Sequence, residues 1–302
     1  MLAAAMARTH PDEIRGYSRL IHQAIASIPT FVPETESDTS IQIERGTIFP
    51  ICLCASGPTD FHPWVDRLIA HPQDLDRITV VDRAGHGRPA YAGLLFYSWA
   101  QTYRVCREAS LKIPVESWLE PLRAWCRMLE TPLMGFTWPL GGVAARRGSE
   151  TVRAACAAMA LYAAGGVLGE GRWTALGGDF LGHLSANQQA TGAFLRSGPA
   201  DNPETLWYHE LTLLHAVASY AALANDPLAT AAVMQAADFH LGQTQPDHAT
   251  TEPWGLLAFI WRRQAHELAD AMLHALAVQH PRGIDGVTSM LLADCLYCLG
   301  RL

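Results

Sequence analysis

FHLGQTQPDHATTEPWGLLAFIW, residues 239–261, is the stretch on which the reading of the fold turns. A helix ends near Gly242, and a dense polar loop follows. A new helix is expected to open at Glu252-Pro253, because Pro is favoured in a first helical turn. Helix, short polar loop, helix is the unit of a helical hairpin. The same punctuation recurs along the chain: Pro114, Gly141-Gly142, Gly165-Gly166, Asn225-Asp226-Pro227 and His280-Pro281.

Working outward, helical periodicity dominates. Asp12 to Ile28 reads as an amphipathic helix with Ile14, Leu20, Ile21 and Ile25 apolar. Further helices are expected at Asp60–Ala70, Ala90–Glu108, Val115–Leu129, Thr151–Ala164, Ala175–Gln189 and Pro203–Ala224. Four more follow at Leu228–Leu241, Pro253–Arg263, Gln264–Val278 and Gly286–Leu299. The total is about ten to twelve helices, which predicts an all-α fold. Residues 29–58 are rich in Ser, Thr, Pro and Glu, with short β-like runs at Ile41–Ile43 and Thr47–Cys54. They read as an irregular arm or insertion in a single helical domain, 1–302. Pro89-Ala-Tyr-Ala-Gly-Leu-Leu-Phe96 echoes Pro253-Trp-Gly-Leu-Leu-Ala-Phe259, as serial hairpins would.

Composition bounds the function. The chain has 302 residues, 49% hydrophobic and 17% charged, which fits a large buried interior. The net charge of -7 and the lack of a basic stripe argue against a nucleic-acid partner. Seven Cys without secreted-domain spacing point to reduced thiols and a cytoplasmic setting. The N-terminal apolar segment is too short for a signal core. The uncharged run between Arg153 and Glu170 is shorter than the ~20 residues of a membrane span and reads as an Ala-rich core helix.

The serial hairpins look like the α/α toroids, the group that includes terpene cyclases, protein prenyltransferase β subunits, alginate-lyase-type polysaccharide lyases and many glycan-processing enzymes. Leu184-Ser-Ala-Asn-Gln-Gln-Ala-Thr-Gly-Ala-Phe194 resembles the terpene cyclase repeat, in which a helix ends in Gln and a Gly and an aromatic residue follow. The acidic cyclase signature Asp-x-Asp-Asp is absent. Asp74-Leu-Asp76-Arg77 is the nearest approach and departs at its last position. The resemblance implies a toroid or incomplete barrel with inner helix N-termini at the mouth of a central cavity, and does not extend to an activity.

Two segments carry residues able to do chemistry. Glu210 falls on the apolar stripe of the helix Pro203–Ala224, where burial raises a carboxylate pKa. With Tyr208, His209 and His215 it forms a set suited to proton transfer. The bland reading is that Glu210 and His209 serve the helix terminus. In the second segment His240, Asp247 and His248 are acid–base candidates. Trp207, Gln245, Thr250, Thr251, Glu252 and Trp254 are binding candidates, with Trp254 a stacking surface and the helix start an anion-friendly terminus. Capping by Thr251 or Glu252 accounts for part of this.

Metal binding is weakly supported, since no His pair has zinc-ligand spacing and Cys295-Leu-Tyr-Cys298 stands alone in an apolar helix. Asp294 and Cys295 with a distant His resemble the prenyltransferase zinc arrangement only loosely. No Gly-x-Gly-x-x-Gly, Walker loop or Gly-x-Ser-x-Gly occurs, which leaves dinucleotide, nucleotide and α/β-hydrolase readings unsupported. Gly85-His-Gly87, after the strand-like run Ile78–Asp82, reads as an irregular lead-in. No cofactor is expected. The preferred expectation is a toroid enzyme doing acid–base work, of lyase, hydrolase or cyclase type, on a small-molecule, glycan-like or isoprenoid-like substrate. The alternative is a non-catalytic helical-repeat binding or scaffold protein.

Overall fold

The computed structural model describes residues 11–26, 91–108, 116–139, 141–245, 252–279 and 286–300. The expected arm at 29–58, the helix Asp60–Ala70, the Gly85-His-Gly87 lead-in and the loop residues Asp247, His248, Thr250 and Thr251 lie outside them. The described residues form ten α-helices: α1 Pro11–Ala26, α2 Tyr91–Glu108, α3 Glu116–Met134, α4 Gly148–Leu168 and α5 Gly171–Ala186, then α6 Pro203–Ala224, α7 Pro227–Leu241, α8 Leu256–Trp261, α9 His266–Gln279 and α10 Gly286–Gly300. The all-α expectation holds. One element was not expected. Val143–Ala144 (β1) pairs in parallel with Leu195–Arg196 (β2), tying the lead-in of α4 to that of α6.

Of the expected turn signals, Gly141-Gly142 and Asn225-Asp226-Pro227 are turns, Gly165-Gly166 instead lies inside α4, which is closed by Gly169 at φ +71°, and Pro114 and His280-Pro281 lie outside the described residues. Asn225, at φ +54°, closes α6 in the left-handed region that Asn tolerates. Asp226 then caps α7, its carboxylate accepting from the N–H groups of Leu228 and Ala229 at 2.8 and 3.1 Å, with Pro227 in the first turn. Asn202 caps α6 through Thr205 N–H, 2.9 Å. The start of α8 differs from the expectation. It opens at Leu256, after Gly255 at φ +76°, so Pro253 and Trp254 belong to the loop. Glu252 accepts from the Trp254 indole N–H at 2.7 Å instead of capping the helix.

Packing is largely serial, although α6 also touches α10 directly and α5 touches both α3 and α7. Each even-numbered helix touches the next: α2 with α4, α4 with α6, α6 with α8, α8 with α10, and α10 with α2. The odd-numbered helices flank them. α3 packs on α2 and α4, α5 on α4 and α6, α7 on α6 and α8, α9 on α8, and α1 on α10. The Tyr17 hydroxyl on α1 donates to Asp270 on α9 at 2.9 Å, fastening the first described helix to the ninth. α1 is amphipathic as expected, except that Leu20 is exposed and Tyr17, Ile21 and Ile25 form its buried face.

α4 has the most neighbours because its side chains are small. It is buried along most of its length and carries seven buried alanines, among them Ala154, Ala158 and Ala164. Its partners come close where they are glycine. A Cβ at Gly93 of α2 would lie 2.5 Å from the Cys156 carbonyl carbon, and one at Gly177 of α5 would lie 2.4 Å from the Ala158 carbonyl oxygen. α4 with its preceding turn, Ala145–Leu168, is long and apolar enough to cross a membrane, longer than the run marked out by the flanking charges. Of its most apolar window, 72% is buried against the rest of the chain, as in a core helix.

Candidate functional site

Three even-numbered helices send polar side chains to one buried point. Asp294 of α10 is fully buried. Its Oδ1 accepts from the Tyr97 hydroxyl of α2 and, at 3.6 Å, from the Cys298 thiol one turn on. Its Oδ2 accepts from the Ser219 hydroxyl of α6. The Gln101 amide donates to the Tyr97 oxygen at 2.7 Å, extending the chain along α2. His215, one turn before Ser219 on α6, brings Nε2 within 3.3 Å of Oδ2. That approach lacks hydrogen-bond geometry, so Nε2 stays without a hydrogen-bond partner. The ring of Trp254 meets His215 edge-on, with centroids 5.2 Å apart.

Electrostatics follow from burial. A buried charge is costly unless hydrogen bonds and opposite charge surround it, and Asp294 has three donors. Burial pulls the His215 pKa below its ordinary value, with the Asp294 charge opposing. The imidazole is therefore neutral at pH 7. Burial first, and the nearby carboxylate second, push the Tyr97 hydroxyl well above its ordinary range. The Cys298 thiol is raised for the same two reasons. The site thus keeps its protons on the Tyr97 hydroxyl and the Cys298 thiol.

The other expected residues separate into three places. Glu210 anchors backbone: its Oε2 accepts from Phe194 N–H at 2.9 Å and its Oε1 from Leu195 N–H at 2.7 Å, holding β2 against α6. Burial raises its pKa to about 7 against the pull of those two N–H groups. His209 lies next to it and reaches Ser149 Oγ of α4, 3.2 Å from Nε2. Tyr208 packs edge-on to Trp254 at 6.3 Å, and Trp254 itself is fully buried, so it offers no open stacking face.

His240 sits on α7, apart from the Asp294 cluster. It is enclosed by the rings of Trp207, Phe239 and Phe259 at 4.9, 5.3 and 5.9 Å. Both its ring nitrogens lack a hydrogen-bond partner, and burial alone pulls its pKa down to about 3. Trp207 is accordingly a wall of this aromatic box. Gln245 is exposed. Glu252 is spent on the Trp254 indole.

Sequence reasoning therefore found His215 but not its partners. Tyr97, Gln101 and Ser219 carried no motif, Asp294 was weighed only as a metal ligand, and Cys298 was read as packing in the terminal helix. The available signal was a charge in an apolar helix: Asp294 is the one charged residue of α10. Among the described residues, no group of three or more His, Cys, Asp or Glu is arranged to hold a metal ion. No protein-family model, curated protein or solved structure matches the chain.

Proposed function

We propose that this chain is an α/α toroid enzyme, with the even-numbered helices as the inner ring and the odd-numbered helices as the outer one. The contact of α10 with α2, which returns the series to its start, supports closure. Under this reading the Asp294 cluster lies on the ring axis, where inner helices far apart in sequence meet. The activity is acid–base chemistry of lyase, hydrolase or cyclase type on a carbohydrate-like or isoprenoid-like substrate. A cytoplasmic setting and the absence of a nucleic-acid partner belong to the same proposal.

The observation that carries it is His215 Nε2 at 3.3 Å from Asp294 Oδ2. A neutral imidazole within ion-pair distance of a carboxylate is suited to act as a general base, because the carboxylate favours the charged form that protonation creates. Asp294 stabilises the imidazolium that forms when His215 takes a proton. Tyr97 and Ser219 fix the carboxylate and supply exchangeable protons.

One observation favours a non-catalytic helical scaffold instead: His215 is 1% exposed and Asp294 0%, with Trp254 packed over the imidazole. Thermal-shift screening against uronates, glycans and prenyl diphosphates separates the two readings. The enzyme reading expects one class to raise Tm, and expects His215→Gln to abolish turnover of that class while the variant stays folded. A scaffold gives no shift with any class, and its His215→Gln variant changes stability alone.

A further inference from the structure

Ser149 and His209 form a pair that the axial cluster does not use. Ser149 is exposed, the second residue of α4, while His209 is buried on α6. The serine oxygen lies 3.2 Å from the imidazole Nε2, across 60 residues of sequence. Local packing holds the ring there. A Cβ at Gly148 would fall 2.2 Å from His209 Nδ1, so only glycine lets the imidazole lie against the start of α4. No side chain caps α4, so the hydroxyl of Ser149 is not consumed as a helix cap.

We propose that Ser149 is a nucleophile activated by His209, and that this second site accepts acyl esters. A serine hydroxyl is a weak nucleophile at its ordinary pKa and is activated by a base within hydrogen-bond reach. With the proton of the neutral imidazole on Nδ1, Nε2 accepts from Ser149. Oγ attacks the acyl carbonyl carbon as its proton moves to Nε2. The bond from that carbon to the alcohol oxygen breaks, and the alcohol leaves with the proton from Nε2. Water then attacks the acyl-serine carbon and gives a proton to Nε2. The carbon–Oγ bond breaks, Oγ recovers the proton, and a carboxylic acid departs.

The test is labelling of the full chain with a fluorophosphonate, which forms a phosphorus–Oγ bond and expels fluoride. Intact mass and peptide mapping are expected to show one adduct, on Ser149. It should be absent in Ser149→Ala and in heat-unfolded protein, and form at least ~100-fold more slowly in His209→Gln, the scale on which general-base catalysis acts. Absence of an adduct on the folded wild-type chain overturns the proposal. So does labelling that persists in Ser149→Ala, or that proceeds equally fast in unfolded protein. Because Ser149 is exposed, its alanine variant is expected to fold, and circular dichroism of that variant guards the comparison. Should His209→Gln not fold, the pH profile of wild-type labelling decides. A rate that rises as one group near the imidazole range loses its proton supports His209, and a rate that follows hydroxide to high pH overturns it.

Discussion

Trp254 meets the His215 imidazole edge to face, 5.2 Å between ring centroids, although the two residues belong to different hairpins. The indole is locked by its own N–H to Glu252, two residues back, at 2.7 Å. A loop residue thereby closes over the imidazole that faces Asp294, and the non-helical backbone around Gly255 is what permits it.

Trp254→Ala removes one of the largest fully buried side chains in the protein. Truncating a buried Trp costs about 3–5 kcal/mol. Chemical denaturation is expected to show a loss of that size, and Trp254→Phe a smaller one.

Asp294→Asn keeps the shape of the side chain but turns one acceptor into a donor facing Ser219 or Tyr97. Leaving a buried partner unsatisfied costs about 1–3 kcal/mol. Urea melts should place Asp294→Asn in that range. Tyr97→Phe, which removes one donor and keeps the ring, should cost less.

His240 gives the protein an acid sensitivity. Its folded pKa of about 3 lies below the ordinary value of 6.5, so the unfolded chain binds the proton first. The stability His240 contributes is present above 6.5 and is lost as pH falls towards 3, at about 1.4 kcal/mol per pH unit. His215, also lowered by burial, adds to the same trend. His240→Leu should flatten the decline of Tm below pH 6.5, as followed by calorimetry at several pH values.

Glu210 acts with the opposite sign. Its pKa is raised from 4.5 to about 7, so its stabilising contribution is present below 4.5 and is lost as pH rises through about 7. Glu210→Gln should remove that part of the pH dependence. Glu210→Ala frees two backbone donors, and amide exchange at Phe194 and Leu195 is expected to accelerate together.

Gly177→Ala tests the close approach of α5 to α4. The added methyl would meet the Ala158 carbonyl oxygen at 2.4 Å, and both groups sit on helix backbone that cannot turn aside. Overpacking of this kind costs about 1–3 kcal/mol, read as a fall in Tm.

Much of the fold was legible because helix signals are local. The bounds Pro203–Ala224 were readable from Asn202, Pro203 and Asn225, whose roles depend only on neighbours along the chain. The ends of α3 and α5 were less so. α3 continues through Pro132 to Met134, and α5 begins at Gly171, where tertiary packing outweighs propensity. The start of α8 was misread because the positive φ of Gly255 suits a turn as well as a helix boundary.

The candidate residues divide along the same line. Burial of His240 and Glu210 could be read from their place on apolar faces. Their surroundings could not, because a helical wheel shows which face is buried and never against what. By itself the sequence determined the helical class, the Asn225-Asp226-Pro227 turn and the small-residue character of α4, since these follow from propensity, capping and side-chain volume acting over a few residues. Only the tertiary structure decided that Asp294 meets Tyr97 and Ser219, residues 197 and 75 positions away. Such meetings depend on how whole helices pack, and no pattern of nearby residues encodes them.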